Sequence, residues 1–287
     1  MKLIKPSFTI IEQESGLEGM YKQIELAGRT CYKSEDKITE TSAKDFVDRM
    51  IKSGHGAMLE HGTVYLYMKF NSKEAYFDDE LALKYHNEPH TKVIRVRDVQ
   101  TEPRGKQHVY ITTNYRVLVE NNWLDDLKYL CEPTEYKKKR VTVKFTTDQG
   151  ILREFTRHRT FSFAVESTRY CNYSKNKFNN EVTFIEPDWI DDDTPINSLA
   201  YNNAYEVFYS AMEEAESYYM ILLESGFKPQ QARNVLPLAT KCDMVMTGFI
   251  SDWEHFFHLR TPANAHPQAR QLAIPLLETF KSKNYLK

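Results

Sequence analysis

Residues 150–174, GILREFTRHRTFSFAVESTRYCNYS, decide how the rest of the chain is read. Asp148 stands just before them as a helix cap, and Arg153 and Arg157 fall one turn apart on the helix it would start. Two like charges at that spacing repel unless something anionic lies against them. Arg159 adds a third guanidinium, with His158 between. Phe161, Phe163 and Val165 then alternate with Ser162, Ala164 and Glu166, the pattern of a half-buried extended segment. In such a segment Ser167 and Arg169 project to one side and Glu166 to the other. Guanidinium forks and a hydroxyl on one side suit a phosphate. The competing reading is a solvated helix face on which Glu154 and His158 pair.

Outward from this stretch the chain alternates helices and strands. Leu17 to Cys31 has helical spacing, and Thr41 or Ser42 is placed to cap a second helix through Val47 to Ile51. Thr63–Phe70, Val109–Thr113 and Arg140–Thr146 read as strands. Residues 71–107 are polar and mixed and read as a surface insertion. The Lys137–Arg140 run can be read as an anion patch, but a solvated edge protecting the strand it precedes is the reading preferred. Asn197 to Ser225 is expected as a long helix ended by Gly226, and Pro229 opens a short one through Val235. Ser251-Asp-Trp-Glu254 matches a capping box for a helix from about Asp252 to Leu259. Pro267 to about Lys281 completes the chain, with a bend at Pro275. The expectation is an α+β fold in one domain, residues 1–287, with a central, mainly antiparallel sheet flanked by helices.

Composition narrows the function. The 287 residues carry 38 Lys and Arg against 40 Asp and Glu, a formal charge of −2, which disfavours coating of nucleic acid. Mean hydropathy is −0.59, and no stretch approaches a membrane span. The amino terminus shows no leader pattern, and the four cysteines form no CxxC pair, so a reduced cytoplasm is the expected setting. His255 and His258 invite a metal reading, but no spacing supplies a third ligand. Aromatics at 13% suit cores, interfaces or a flat-ligand pocket.

Arg157-His158-Arg159, seven residues, then Ser167 resembles the RHR-x7-S signature of the flavin-dependent thymidylate synthases, and Ser167-Thr-Arg169-Tyr170 resembles its SxRY ending. Ala27–Tyr32, Leu59-Glu60-His61, Gln231–Pro237 and Leu259-Arg260 with His266 and Gln268 resemble further segments of that family, in its order. The resemblance implies FAD as cofactor and reductive methylation of dUMP to dTMP. Methylenetetrahydrofolate would give the carbon and NADPH the electrons. It places Arg157, His158, Arg159, His61, Thr63 and His255 at the flavin. It places Glu154, Arg157, Ser167, Thr168, Arg169 and Arg233 at dUMP, with Arg260 against the uracil as the catalytic charge. It implies a homotetramer in which Arg233 reaches a neighbour's phosphate, and no metal, nucleic acid or membrane. Ala164-Val165 and Phe249 depart from polar residues usual in the family. A flavin-binding relative without synthase activity stays open, as does an RNA-binding module built on RHR, KKKR and the interleaved aromatics.

Overall fold

The computed structural model describes residues 1–70, 83–98, 106–190 and 195–286. Its strands are β1 (Lys2–Ile4), β2 (Ser7–Ile11), β3 (Thr63–Phe70), β4 (Lys92–Asp98), β5 (Lys106–Asn114), β6 (Arg140–Asp148), β7 (Ser162–Val165), β8 (Thr183–Ile185) and β9 (Lys241–Phe249). The helices are α1 (Gly16–Tyr32), α2 (Ser42–Lys52), α3 (Gly56–Leu59), α4 (Tyr115–Glu120), α5 (Gln149–Phe155), α6 (Ala204–Glu224), α7 (Pro229–Ala232), α8 (Ile250–Arg260) and α9 (Pro267–Ser282). The α+β class is as expected, but the strands divide among separate sheets. Four run β2-β6-β9-β7, three run β3-β5-β4, and β1 pairs with β8. Among the described residues only the β1–β8 strand pairing is parallel.

The four-stranded sheet is built by alternation. Val141, Val143 and Phe145 of β6 face one way, into a core with Met244 and Met246 of β9 and Trp253, Phe256 and Phe280 of α8 and α9. Phe155 stands 5.2 Å from Phe145 and 5.0 Å from Phe256, ring centre to ring centre, in edge contacts. Each such buried aromatic contributes roughly 1.5–3 kcal/mol, so this core fixes where α5 and α8 lie. On the opposite face, Gln23 of α1 donates to Thr142 Oγ1 at 2.9 Å. Ala27 packs there against Ala164 and Val245.

Helix α1 is buried on two sides, because its Met20 and Ile24 belong to a second core with Val64, Leu66 and Ile111 of the three-stranded sheet. Helix α2 closes that core through Phe46, whose ring lies over Gly28; a Cβ on Gly28 would come 2.4 Å from it. The expected surface insertion therefore contains β4, paired antiparallel with β5. Residues 71–82 and 99–105 of it lie outside the described residues. β6 is central rather than an edge, and the Lys137–Arg140 run is only partly solvated, Lys138 being exposed and Lys139 half-buried. Lys137 is buried and donates Nζ to Leu66 O at 2.6 Å, and Arg140 is buried as well.

Two helix starts differ from expectation. Asn203, not Asn197, caps α6 by accepting from Glu206 N at 2.9 Å. Helix α8 begins at Ile250, where Asp252 Oδ2 accepts from Phe249 N at 2.9 Å, so Ser251 lies inside the helix instead of capping it. Pro275 sits within α9. Asp148 caps α5 as read from sequence, accepting from Ile151 N at 2.8 Å.

Candidate active site

The Asp148 cap turns the chain at the end of β6, and Ile151 and Phe155 bury one face of α5. The other face carries Arg153, Glu154 and, two residues past the helix end, Arg157. Glu154 gathers charge from two directions. Arg260, the last residue of α8, donates Nη1 to Glu154 Oε2 at 2.8 Å and Nη2 to the Glu154 carbonyl at 2.6 Å. Arg157 pairs with the same carboxylate at 3.3 Å from an exposed position. The pairing of Glu154 with His158 considered from sequence is replaced by these two arginines.

Arg260 also donates Nε to His158 Nε2 at 2.9 Å. His158 is 6% exposed and packs its ring 5.0 Å from Phe256 and 6.1 Å from His255. Burial first, then the Arg260 guanidinium and His255, pull its pKa down to about 4. The imidazole is thus a neutral acceptor near neutral pH. His255 itself is exposed, and no group of three potential metal ligands occurs among the described residues.

A second group forms beyond β7. Ser167 N donates to Cys31 O at 3.0 Å, and the Ser167 carbonyl accepts from Tyr170 N and Cys171 N at 3.0 and 3.1 Å, which sets a tight turn. Thr168 Oγ1 on that turn accepts from Arg233 Nη1 at 3.0 Å. Arg153, Thr168 and Arg233 line one cavity of about 340 Å³ with Gln149 and Thr240. Arg233 meets Thr168 of its own chain; that pairing needs no neighbouring copy. Arg169 is exposed, with its guanidinium 5.5 Å from the Tyr170 ring centre. Helix α5 joins the two groups, since Arg153 lines the cavity while the next residue holds Arg260.

Behind Ser167 lies an ion cluster that sequence reading missed. Glu166 Oε2 accepts from Lys241 Nζ at 2.8 Å and from Asp243 N at 3.0 Å. Asp243 pairs with Lys241 at 2.7 Å and with Lys33, which also stands 3.7 Å from Glu166. Burial alone raises the Asp243 pKa, but the Lys241 and Lys33 ammonium groups outweigh it and hold the carboxyl well below the ordinary range. The available signal was Lys241 and Asp243 alternating on one face of a strand, opposite a segment whose Glu166 turns away from Ser167.

The remaining expected residues sit elsewhere. His61 has no exposed surface; its Nδ1 lies 2.8 Å from Thr247 Oγ1, in a buried chain with Thr142 and Gln23. Burial, then the charge of Arg140, push its pKa down to about 3. Thr63 is buried too, with Oγ1 accepting from Arg140 Nη1 at 3.3 Å. Arg159 lines a different cavity, of about 520 Å³, with Phe161, Ser162 and Phe249. Of the departures read from sequence, Phe249 therefore faces a cavity, whereas Ala164 is fully buried between α1 and the sheet.

The family described as "Thymidylate synthase complementing protein" matches residues 133–283. That is more than half of the chain, and the chain belongs to this family. Among curated relatives, a flavin-dependent thymidylate synthase from Corynebacterium aurimucosum is 23% identical over 282 residues, covering 95% of this chain and 80% of the relative. One from Haloarcula marismortui is 29% identical over 142 residues, covering 45% of this chain and 58% of the relative. A solved UMP/dUMP methylase, PolB from Streptomyces cacaoi, aligns over 99% of this chain and 93% of its own, at 18% identity and a TM-score of 0.43. In the Haloarcula case the matched region spans little more than half of the relative's length.

Proposed function

We propose that the chain is a flavin-dependent thymidylate synthase, converting dUMP to dTMP with methylenetetrahydrofolate as carbon donor and NADPH-reduced FAD as hydride source. The observation that carries this reading is α5. It aims Arg153 into the cavity of Arg233 and Thr168, and with the next residue, Glu154, it orients Arg260. A phosphate-binding group and a guanidinium for the base are thereby held one residue apart on a rigid element.

The cavity at Arg159 suits a flat, anionic cofactor: guanidiniums, a Ser162 hydroxyl and the rings of Phe161 and Phe249 face the same space. Arg159, with Arg157, His158 and His255 close by, would hold the flavin. Bound flavin supplies the hydride. Arg233, Thr168, Ser167 and Arg169 take the dUMP phosphate, and Arg153 adds a charge on the same wall. Hydride arrival at C6 of uracil puts negative charge on its C4–C5 side. Arg260 stabilises that charge more than it stabilises the ground state. Three of its five N–H donors are engaged by His158 and Glu154, which leaves two for the substrate. A cysteine nucleophile has no part in this chemistry.

Assembly into a homotetramer belongs to the same reading. It is supported by Val207, Tyr218 and Ile221, apolar residues of α6 exposed on this chain. The test of the whole proposal is to incubate purified protein with FAD, NADPH, methylenetetrahydrofolate and dUMP and follow dTMP by chromatography. Flavin binding together with dTMP supports it. Flavin binding without dTMP would mark a relative that has lost synthase activity, and failure of both overturns the assignment.

A further inference from the structure

The cavity of about 520 Å³ has walls of two origins. Arg159, Ser162, Phe249 and Arg140 belong to the segment that matches the family, residues 133–283. Lys92 and His90 come from the three-stranded sheet region outside it. Lys92 Nζ lies 5.6 Å, and Arg140 Cζ 5.7 Å, from the centre of the Phe249 ring. Two cations thus flank one aromatic ring, and Arg159 stands on the same cavity as a third.

No carboxylate neutralises Lys92 or Arg140 directly among the described residues. Arg140 is buried, and its donors go to neutral acceptors, Glu60 O at 3.0 Å and the hydroxyls of Thr63 and Ser162 at 3.3 Å. Of the two carboxylates on the wall, Glu60 is held by Arg116 at 2.6 Å and Asp252 caps α8. Burial drives the Arg140 pKa down to about 10 against the opposing pull of Tyr65, Glu60 and Asp252, and at neutral pH it stays charged. Like charges gathered around a cavity of this size favour an anion inside it.

We propose that Lys92 and Arg140 hold a phosphate of the nucleotide cofactor, so that the three-stranded sheet supplies one wall of its site. The proposal rests on the reading of the chain as an enzyme using FAD and NADPH. Its ligand chemistry is the nucleotide phosphate that both molecules carry and riboflavin lacks. Lys92 is exposed and carries little of the fold, which makes it the residue to change.

Wild type, Lys92→Ala, Lys92→Glu and Lys92→Arg are titrated with FAD and with riboflavin, following flavin fluorescence, and then with NADPH. Lys92→Ala should weaken FAD about fivefold, on the scale of one exposed charge pair. Lys92→Glu should weaken it more, Lys92→Arg should stay near wild type, and riboflavin should not change. A loss confined to NADPH would keep the proposal and move the phosphate to the nicotinamide nucleotide. If wild type binds FAD while Lys92→Ala and Lys92→Glu match it for both ligands, the proposal is overturned. If wild type binds no flavin, the functional reading fails separately, and inorganic pyrophosphate becomes the probe. Calorimetric binding that Lys92→Glu removes would retain the site, and unchanged or absent binding would end it.

Discussion

Arg260 and His158, 102 positions apart in sequence, share a hydrogen bond of 2.9 Å from Nε to Nε2. An arginine has only donors, so His158 Nε2 must offer a lone pair and the ring's proton sits on Nδ1. The central residue of RHR is thereby fixed in one neutral tautomer. It shapes the guanidinium that the proposed chemistry depends on, and Glu154 fixes the other end of that guanidinium at 2.8 Å.

Arg260→Ala should therefore lower turnover far more than flavin affinity. Losing one donor aimed at developing charge costs about 10²–10³ in kcat. Arg260→Lys should recover little, because a single ammonium cannot serve Glu154, His158 and the base from one planar fork. Steady-state kinetics alongside flavin titration separates the two effects. Near-normal kcat with only a raised dUMP KM would make Arg260 a uniform binder.

Acid should destabilise the protein in a window set by two histidines. His158, with its pKa near 4, and His61, near 3, are neutral when folded and take up protons when unfolded below about pH 6.5. Their contribution to stability is complete above that pH and falls as pH drops from 6.5 toward 4. Each costs roughly 1.4 kcal/mol per pH unit in the window. Urea midpoints at pH 7.5, 6 and 5 measure the slope, and His158→Gln should reduce it. A slope identical in His158→Gln and wild type would remove His158 from this account.

Glu166 offers a stability test apart from the chemistry. Its carboxylate is almost fully buried among Lys241, Lys33 and the Asp243 amide. Glu166→Ala leaves Lys241 and Lys33 to share Asp243 alone, so the loss should stay below the roughly 3–5 kcal/mol of a buried pair broken outright. Glu166→Gln keeps an acceptor for the Asp243 amide and should lose less. Chemical unfolding of the three proteins gives the order, and an alanine variant as stable as wild type would show the cluster to be idle.

What could be read in the sequence follows from how local each cause is. The Asp148 cap needs only a side chain three residues from an amide, and the β7 alternation needs only neighbours, so both were legible. The start of α6 was not, because Asn197 and Asn203 are equally good caps and only tertiary structure chooses. The burial of Lys137 and Arg140 depends on Leu66 O and the Glu60 carbonyl, more than seventy positions away, and a run of four basic residues gives no hint of it. The family resemblance named Glu154, His158 and Arg260 as site residues. That they bind one another appears only when α8 returns to α5.

Ser167 is the residue most open to misreading, since a serine in a signature invites the role of nucleophile. Such a serine needs a base oriented by a third group. The adjacent acid, Glu166, is committed to Lys241 and the Asp243 amide, and the nearest motif residue onward, Arg169, is no base. The Ser167 hydroxyl makes no hydrogen bond among the described residues, while its amide is held by Cys31 O. A free hydroxyl one residue before Thr168, which Arg233 holds, suits a phosphate, in one hydrogen bond to a charged group worth roughly 1.5–3 kcal/mol. Ser167→Ala should accordingly bind dUMP about ten- to a hundredfold more weakly and still make dTMP at saturating substrate. Ser167→Cys should trap no more covalent adduct than Ser167→Ala. Binding titrations, single-turnover assays and intact-protein mass spectrometry read the outcome. Normal dUMP affinity with turnover abolished, or an adduct on Ser167, would establish the serine as the nucleophile and refute its assignment to the phosphate.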